Sequence, residues 1–153
     1  MLNFSKNRPW MSYEPFEIDL LLNHGDTFDI GGTVIHCHHT PGHTRGTMTY
    51  TFDVQMADGQ HTAMLIGDPA IVSFNVPGMR YPGDRDEFAR SLDYLMQLKA
   101  DVFLGSHPFM NNTLQKYERR QKGAQPDPFI DPEERLRYLR KLKADFEKLP
   151  ADK

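Results

Sequence analysis

The chain has 153 residues, 39% hydrophobic, 25% charged and 11% aromatic, which excludes a disordered chain and leaves room for one modest core rather than two independent domains. A net charge of -3 offers no general attraction to phosphate backbones or anionic lipid, so neither nucleic acid nor a membrane is an expected partner. The lone Cys37 excludes an internal disulfide, and no apolar run has the length of a signal peptide core or a membrane span, so the sequence leaves the compartment unread.

Residues 1–15, interrupted by Pro9 and Pro15, read as an irregular lead-in. From Phe16 to Leu22 the apolar residues Phe16, Ile18, Leu20 and Leu22 recur at every second position, which predicts a strand. Asn23-His24-Gly25-Asp26 is a turn signal. Thr27 to Ile30 and Thr33 to His39 flank Gly31-Gly32, a pair able to take the positive φ of a tight hairpin. Thr47 to Phe52 and Thr62 to Ile66 predict a second hairpin around Ala57-Asp58-Gly59-Gln60. After Gly83, Asp84 is placed to cap a helix with Glu87 as reciprocal partner, and Phe88, Leu92, Leu95 and Leu98 share its apolar face. Asp101 to Gly105 predicts a short strand, and Asn111 to Lys122 carries a weaker helical pattern. Asp131-Pro132-Glu133-Glu134 opens a final helix with a stripe of Leu136, Leu139, Leu142, Phe146 and Leu149. Strands followed by helix, strand and helices predict a layered α/β (α+β) arrangement, with a single domain over 16–149.

Three segments repeat one plan, in which a strand ends and a His or Asp follows in a turn rich in Gly or Pro. They are Thr40-Pro41-Gly42-His43-Thr44-Arg45-Gly46, Leu65-Ile66-Gly67-Asp68-Pro69 and Leu104-Gly105-Ser106-His107-Pro108. Strand ends are where side chains from distant segments converge, and two imidazoles with a carboxylate are zinc-type donors. Glycine beside each residue would let backbone come close to a metal or its bound water. Taken singly, a histidine after a strand is more often a hydrogen-bonded surface or core residue, and an aspartate in a turn is more often a cap. In the cluster His36-Cys37-His38-His39, alternation sends His36 and His38 to one face and Cys37 and His39 to the other, so a strand-face role outweighs ligation. Lys116, Arg119, Arg120 and Lys122 read as a solvated helix face rather than an anion site.

The order and wording of the three segments resemble the metallo-β-lactamase superfamily. Thr-Pro-Gly-His-Thr-Arg-Gly at 40–46 is similar to its Pro-Gly-His-Thr-Pro-Gly motif, Gly67-Asp68 to its acidic turn, and Gly105-Ser106-His107 to its last histidine. The hairpin before the histidine strand and the wording Asp127-Pro128-Phe129-Ile130-Asp131-Pro132 look nearest to the subclass B3 β-lactamases. The resemblance implies the C-terminal half of an αββα sandwich with a two-zinc site in a groove. It further implies that His43 serves one metal and His107 the other. In the wider superfamily the acidic turn at Asp68 supplies a bridging ligand, whereas B3 β-lactamases do without it, so its role stays open.

The superfamily's His-X-His-X-Asp-His signature does not occur in the sequence, and Pro69-Ala70-Ile71 stands where B3 β-lactamases carry Ser-X-Ser-like wording. The first departure implies weak or partial zinc binding and little turnover by this chain alone; the second puts β-lactam in question as the substrate. The expected activity, with an N-terminal half present, is zinc-dependent hydrolysis of a small-molecule β-lactam, lactone or related amide or ester. A β-lactam-hydrolysing relative would confer antibiotic resistance and, if exported, would be periplasmic. The alternatives are a non-catalytic interaction domain that binds a partner along its exposed sheet edge and a dimer in which two half-domains pack symmetrically, so that the expected protein partners are the missing N-terminal half, for the enzyme, or a second copy of the chain.

Overall fold

A computed structural model describes residues 17–75 and 80–150. The lead-in 1–15 and Phe16 lie outside the described residues. A four-strand meander comes first, with β1 (Thr27–Ile30), β2 (Thr33–His39), β3 (Met48–Met56) and β4 (Gly59–Leu65). A 3-10 turn (Ile71–Asn75) and α1 (Asp84–Gln97) then cross to β5 (Val102–Leu104), and α2 (Thr113–Gln121) and α3 (Glu134–Glu147) complete the element order. The sheet order is β1-β2-β3-β4-β5, antiparallel throughout except for the parallel pair β4-β5. As a result β2, β4 and β5 run in one direction, and their carboxyl ends share one edge of the sheet.

The first hairpin has the predicted limits, with Gly31 and Gly32 both at positive φ and Ile30 paired to Thr33. The second is longer than predicted, because pairing runs on to Met56↔Gly59. The strand predicted over Phe16 to Leu22 does not form in 17–22, where Ile18, Leu20 and Leu21 are exposed. Alternating hydrophobicity makes a strand only when a ladder partner is free. Here the backbone of Cys37 is already bonded by Gly25 and Asp26, and Thr27–Ile30 occupies the rest of β2.

One sheet face lies under α1 and α3. Met64 pairs with Phe103 across β4-β5, and both are buried with Phe88, Leu92 and Leu95 of α1 and Leu139 and Phe146 of α3. The rings of Phe74, Phe88 and Phe146 meet pairwise at about 5 Å between centroids, edge-on or tilted. The helix cap differs from expectation. Asp84 is the first residue of α1 and Gly83, at φ 83°, is the cap. Positive φ suits glycine there, while the Asp84 carboxylate is taken by Arg80 and by the Tyr81 amide, whose bonds hold it below the usual carboxylate range. Arg135 is buried, and its guanidinium donates to the carbonyls of Leu95 and Met96, closing the C-terminal turn of α1. Lys116 is likewise not part of a solvated face. It is buried and bonded to Glu134 beside the Phe129 ring.

The opposite sheet face is apolar and only half covered. Phe28, Ile35, Tyr50, Phe52, Val54, Leu65 and Leu104 stand on it half-buried, while Ala63 and Val102 are covered near Phe129 of the segment after α2. Val34, by contrast, is exposed on the helix side of the sheet.

At the far edge, His61 of β4 sits between Asp58 (3.1 Å) and Asp101 (3.3 Å), tying the hairpin turn to the start of β5. Burial alone would lower its pKa, but the two carboxylates raise it above the ordinary value. The folded state thus holds the proton more tightly than the unfolded state. The stabilisation is complete below about pH 6.5 and is lost as pH rises through the raised folded value. Chemical denaturation of the chain and its His61→Gln variant across pH 5 to 9 should show a stability difference that shrinks toward the alkaline end. A difference independent of pH would remove the charged bridge from this account.

Candidate metal centre

The shared carboxyl edge of β2, β4 and β5 collects all three residues singled out from the sequence. His43 follows β2 in the 40–46 loop, Asp68 follows β4, and His107 follows β5. His43 Nε2 lies 3.7 Å and His107 Nε2 3.5 Å from the same oxygen, Asp68 Oδ2. The side chains of His43 and Asp68 are 18% and 30% exposed and that of His107 51%, so the cluster opens to solvent on the β5 side.

Buried hydroxyls hold these loops in register. Thr49, fully buried on β3, shares a hydrogen bond with Thr40 (3.0 Å) and accepts the Gly67 amide (3.1 Å), so one side chain ties the His43 loop to the Asp68 turn. The Ile66 amide donates to the Leu104 carbonyl at 3.0 Å and ties the Asp68 turn to the His107 loop. Ser91 of α1 donates to the Pro41 carbonyl at 2.7 Å. The glycines serve the packing of the loops. A Cβ on Gly42 would lie 2.4 Å from Phe88 Cδ2, and one on Gly67 would lie 2.2 Å from the Met48 carbonyl oxygen. They are there so that the loops can seat on α1 and on β3.

The electrostatics of the cluster follow from its hydrogen bonds. The Ala70 carbonyl can only accept, so His43 Nδ1 carries a proton toward it (3.1 Å), which in the neutral ring leaves a lone pair on Nε2. Asp68 Oδ1 accepts the Ala70 amide at 2.9 Å, fixing the carboxylate with Oδ2 toward the imidazoles. In the neutral ring a nitrogen lone pair then faces a carboxylate oxygen, and either a proton on Nε2 or a metal ion between the two relieves the repulsion. Two donors each about 2.1 Å from a tetrahedral ion stand about 3.4 Å apart, close to the 3.7 Å and 3.5 Å separations seen here. The donor set and pair spacing therefore fit a metal ion. They do not complete its shell, since among the described residues no group of three or more such side chains can by itself hold an ion. Tyr138 of α3 was not anticipated; burial and then the charge of Asp68 push its phenol up to about 12.

The histidine run on β2 stays apart from this cluster. Both ring nitrogens of His38 are engaged, Nδ1 with Tyr94 Oη (2.7 Å) and Nε2 with Thr51 Oγ1 (2.8 Å). His39 Nε2 donates to the Arg45 carbonyl at 2.6 Å.

No family model matches the chain. Among solved structures it superposes on BJP-1, a subclass B3 metallo-β-lactamase of Bradyrhizobium japonicum, with a TM-score of 0.82 and 27% identity, covering 94% of this chain and 54% of that one. Native FEZ-1 metallo-β-lactamase from Legionella gormanii gives a TM-score of 0.82 and 32% identity, with 94% and 55% covered. The chain carries the C-terminal half of the metallo-β-lactamase fold. A protein of Burkholderia pseudomallei (strain 1710b) described as "Probable metallo-hydrolase" is 31% identical over 94 residues, 59% of this chain and 32% of that protein. The chain thus spans about half the length of these metallo-β-lactamase structures and about a third of the curated relative.

Proposed function

We propose that this chain supplies half of the metal site of a zinc-dependent hydrolase that opens a β-lactam, lactone or related amide or ester. The observation that carries the reading is the convergence of His43 and His107 on one oxygen of Asp68. His43 and His107 would each offer one imidazole nitrogen to the metal site, and Asp68, within 3.7 Å of both, would offer its carboxylate. A bound zinc supplies a water acidified to near neutrality and a Lewis acid for the substrate carbonyl. The chain's own residues orient these donors. Ala70 fixes the tautomer of His43 and the rotamer of Asp68, and Thr49 keeps the two loops in register.

Zinc titration by calorimetry should show weak binding by this chain. His43→Ala and His107→Ala should each reduce it with little loss of stability, because both side chains project from turns rather than fill core volume. Hydrolysis of nitrocefin and of a lactone should appear only when a polypeptide carrying the remaining ligands is added, and should vanish in either variant. Unchanged zinc binding in both variants would overturn the assignment. A second reading, a non-catalytic domain that associates through its sheet, is favoured by the half-covered apolar face bearing Phe52 and Leu65.

A further inference from the structure

Three of the large hydrophobic side chains most exposed to solvent follow His107 within ten residues, namely Phe109 (77%), Leu114 (62%) and Tyr117 (56%). The Phe109 ring lies parallel to the His107 imidazole, 8° between planes and 5.2 Å between centroids, so the apolar surface begins at a candidate ligand. The loop then folds back on itself. Met110 donates to the His107 carbonyl, Thr113 donates to the Pro108 carbonyl, and Asn111, buried, donates to the Phe103 carbonyl of β5. These bonds hold the first turn of α2 beside the His107 loop. Leu114 and Tyr117, three residues apart, share one helix face, while Lys116 points inward to Glu134.

We propose, resting on the hydrolase reading above, that Phe109, Leu114 and Tyr117 form an apolar platform for a hydrophobic substituent of the substrate whose scissile bond lies at His43, Asp68 and His107. Three side chains offer far less than the roughly 800 Å² per partner of a stable protein interface. They suit one acyl or aryl group, and they adjoin the donor cluster rather than the half-covered sheet face. The remaining exposed positions of α2, among them Gln115, Glu118 and Arg119, are polar, which confines the exposed apolar surface of the helix to Leu114 and Tyr117. The substrate class is therefore an amide, ester or lactone bearing an apolar acyl or aryl arm.

The test is a nuclear magnetic resonance titration of the full, metal-free chain with hexanamide, and with acetamide as the control. Each methylene buried is worth roughly a fourfold gain in affinity. Hexanamide should shift the amides of 107–117 saturably, acetamide should not, and Phe109→Ala and Leu114→Ser should each weaken hexanamide binding about tenfold. Both substitutions are at exposed positions and should leave the spectrum of the core unchanged. Binding of hexanamide by a chain that takes up no zinc would retain the platform while ending the metal reading; zinc uptake without hexanamide binding would do the reverse. Equal response to the two amides, shifts centred on Phe52 instead, or concentration-dependent shifts of 107–117 without any amide would overturn the platform, the last by making it a contact between copies.

Discussion

Asp68→Asn should weaken zinc binding by about a hundredfold or more, at or beyond what the loss of an outer-shell partner costs. The substitution keeps the shape and one carbonyl oxygen, so the bond from the Ala70 amide survives and the turn stays folded. What goes is the charge on the oxygen that both imidazoles face. Of the three candidate ligands Asp68 alone touches the other two, so its replacement affects both half-sites at once. Titration with zinc, or with cobalt read by its visible spectrum, checks this beside circular dichroism of the same sample. Equal metal affinity in the variant would leave Asp68 only a turn-forming carboxylate, the commoner use of an aspartate after a strand.

The chain by itself should self-associate, and Phe52→Lys should return it toward monomer. Phe28, Ile35, Tyr50, Phe52, Val54 and Leu65 make a half-buried face on the side of the sheet away from α1 and α3. At roughly 25 cal/mol per Å², about 300 Å² of such surface withheld from water is worth about 7 kcal/mol, comparable to the whole stability of a small domain. A single charge at the centre of that face makes its burial costly while leaving the helix-side core untouched. Sedimentation velocity over a range of concentrations distinguishes the two proteins. A monodisperse monomer for the unaltered chain would show that the face is covered in a way the described residues do not reveal.

Much of this architecture was legible because local chemistry and tertiary context agree. Gly31-Gly32 marked a turn that only positive φ could make, and the stripe of Phe88, Leu92 and Leu95 matched the one face α1 buries. The three turn residues could be selected from wording alone, but their convergence could not. It depends on β2, β4 and β5 sharing a direction, which follows from pairing over the whole sheet. The strand expected over Phe16 to Leu22 failed because periodicity does not say whether a partner edge is free. Thr49 gave no signal, since a threonine in a strand is ordinary until two loops are seen to bond to it. Lys116 read as a solvent-facing charge because its acceptor, Glu134, is brought to it only by the packed fold.

The single parallel step in the sheet implies an order of assembly. His43 and Asp68 follow β2 and β4 of the antiparallel meander, whose strands are joined by connections local in sequence, whereas His107 reaches them only after α1 has crossed over and β5 has docked beside β4. Contacts that close long loops form late. During refolding, pulse-labelled amides of β3 and β4 should gain protection before those of Val102–Leu104, and simultaneous protection would refute that sequence of events. The donor cluster would then be completed by its most exposed member, and an ion present early could meet His43 and Asp68 before His107 arrives.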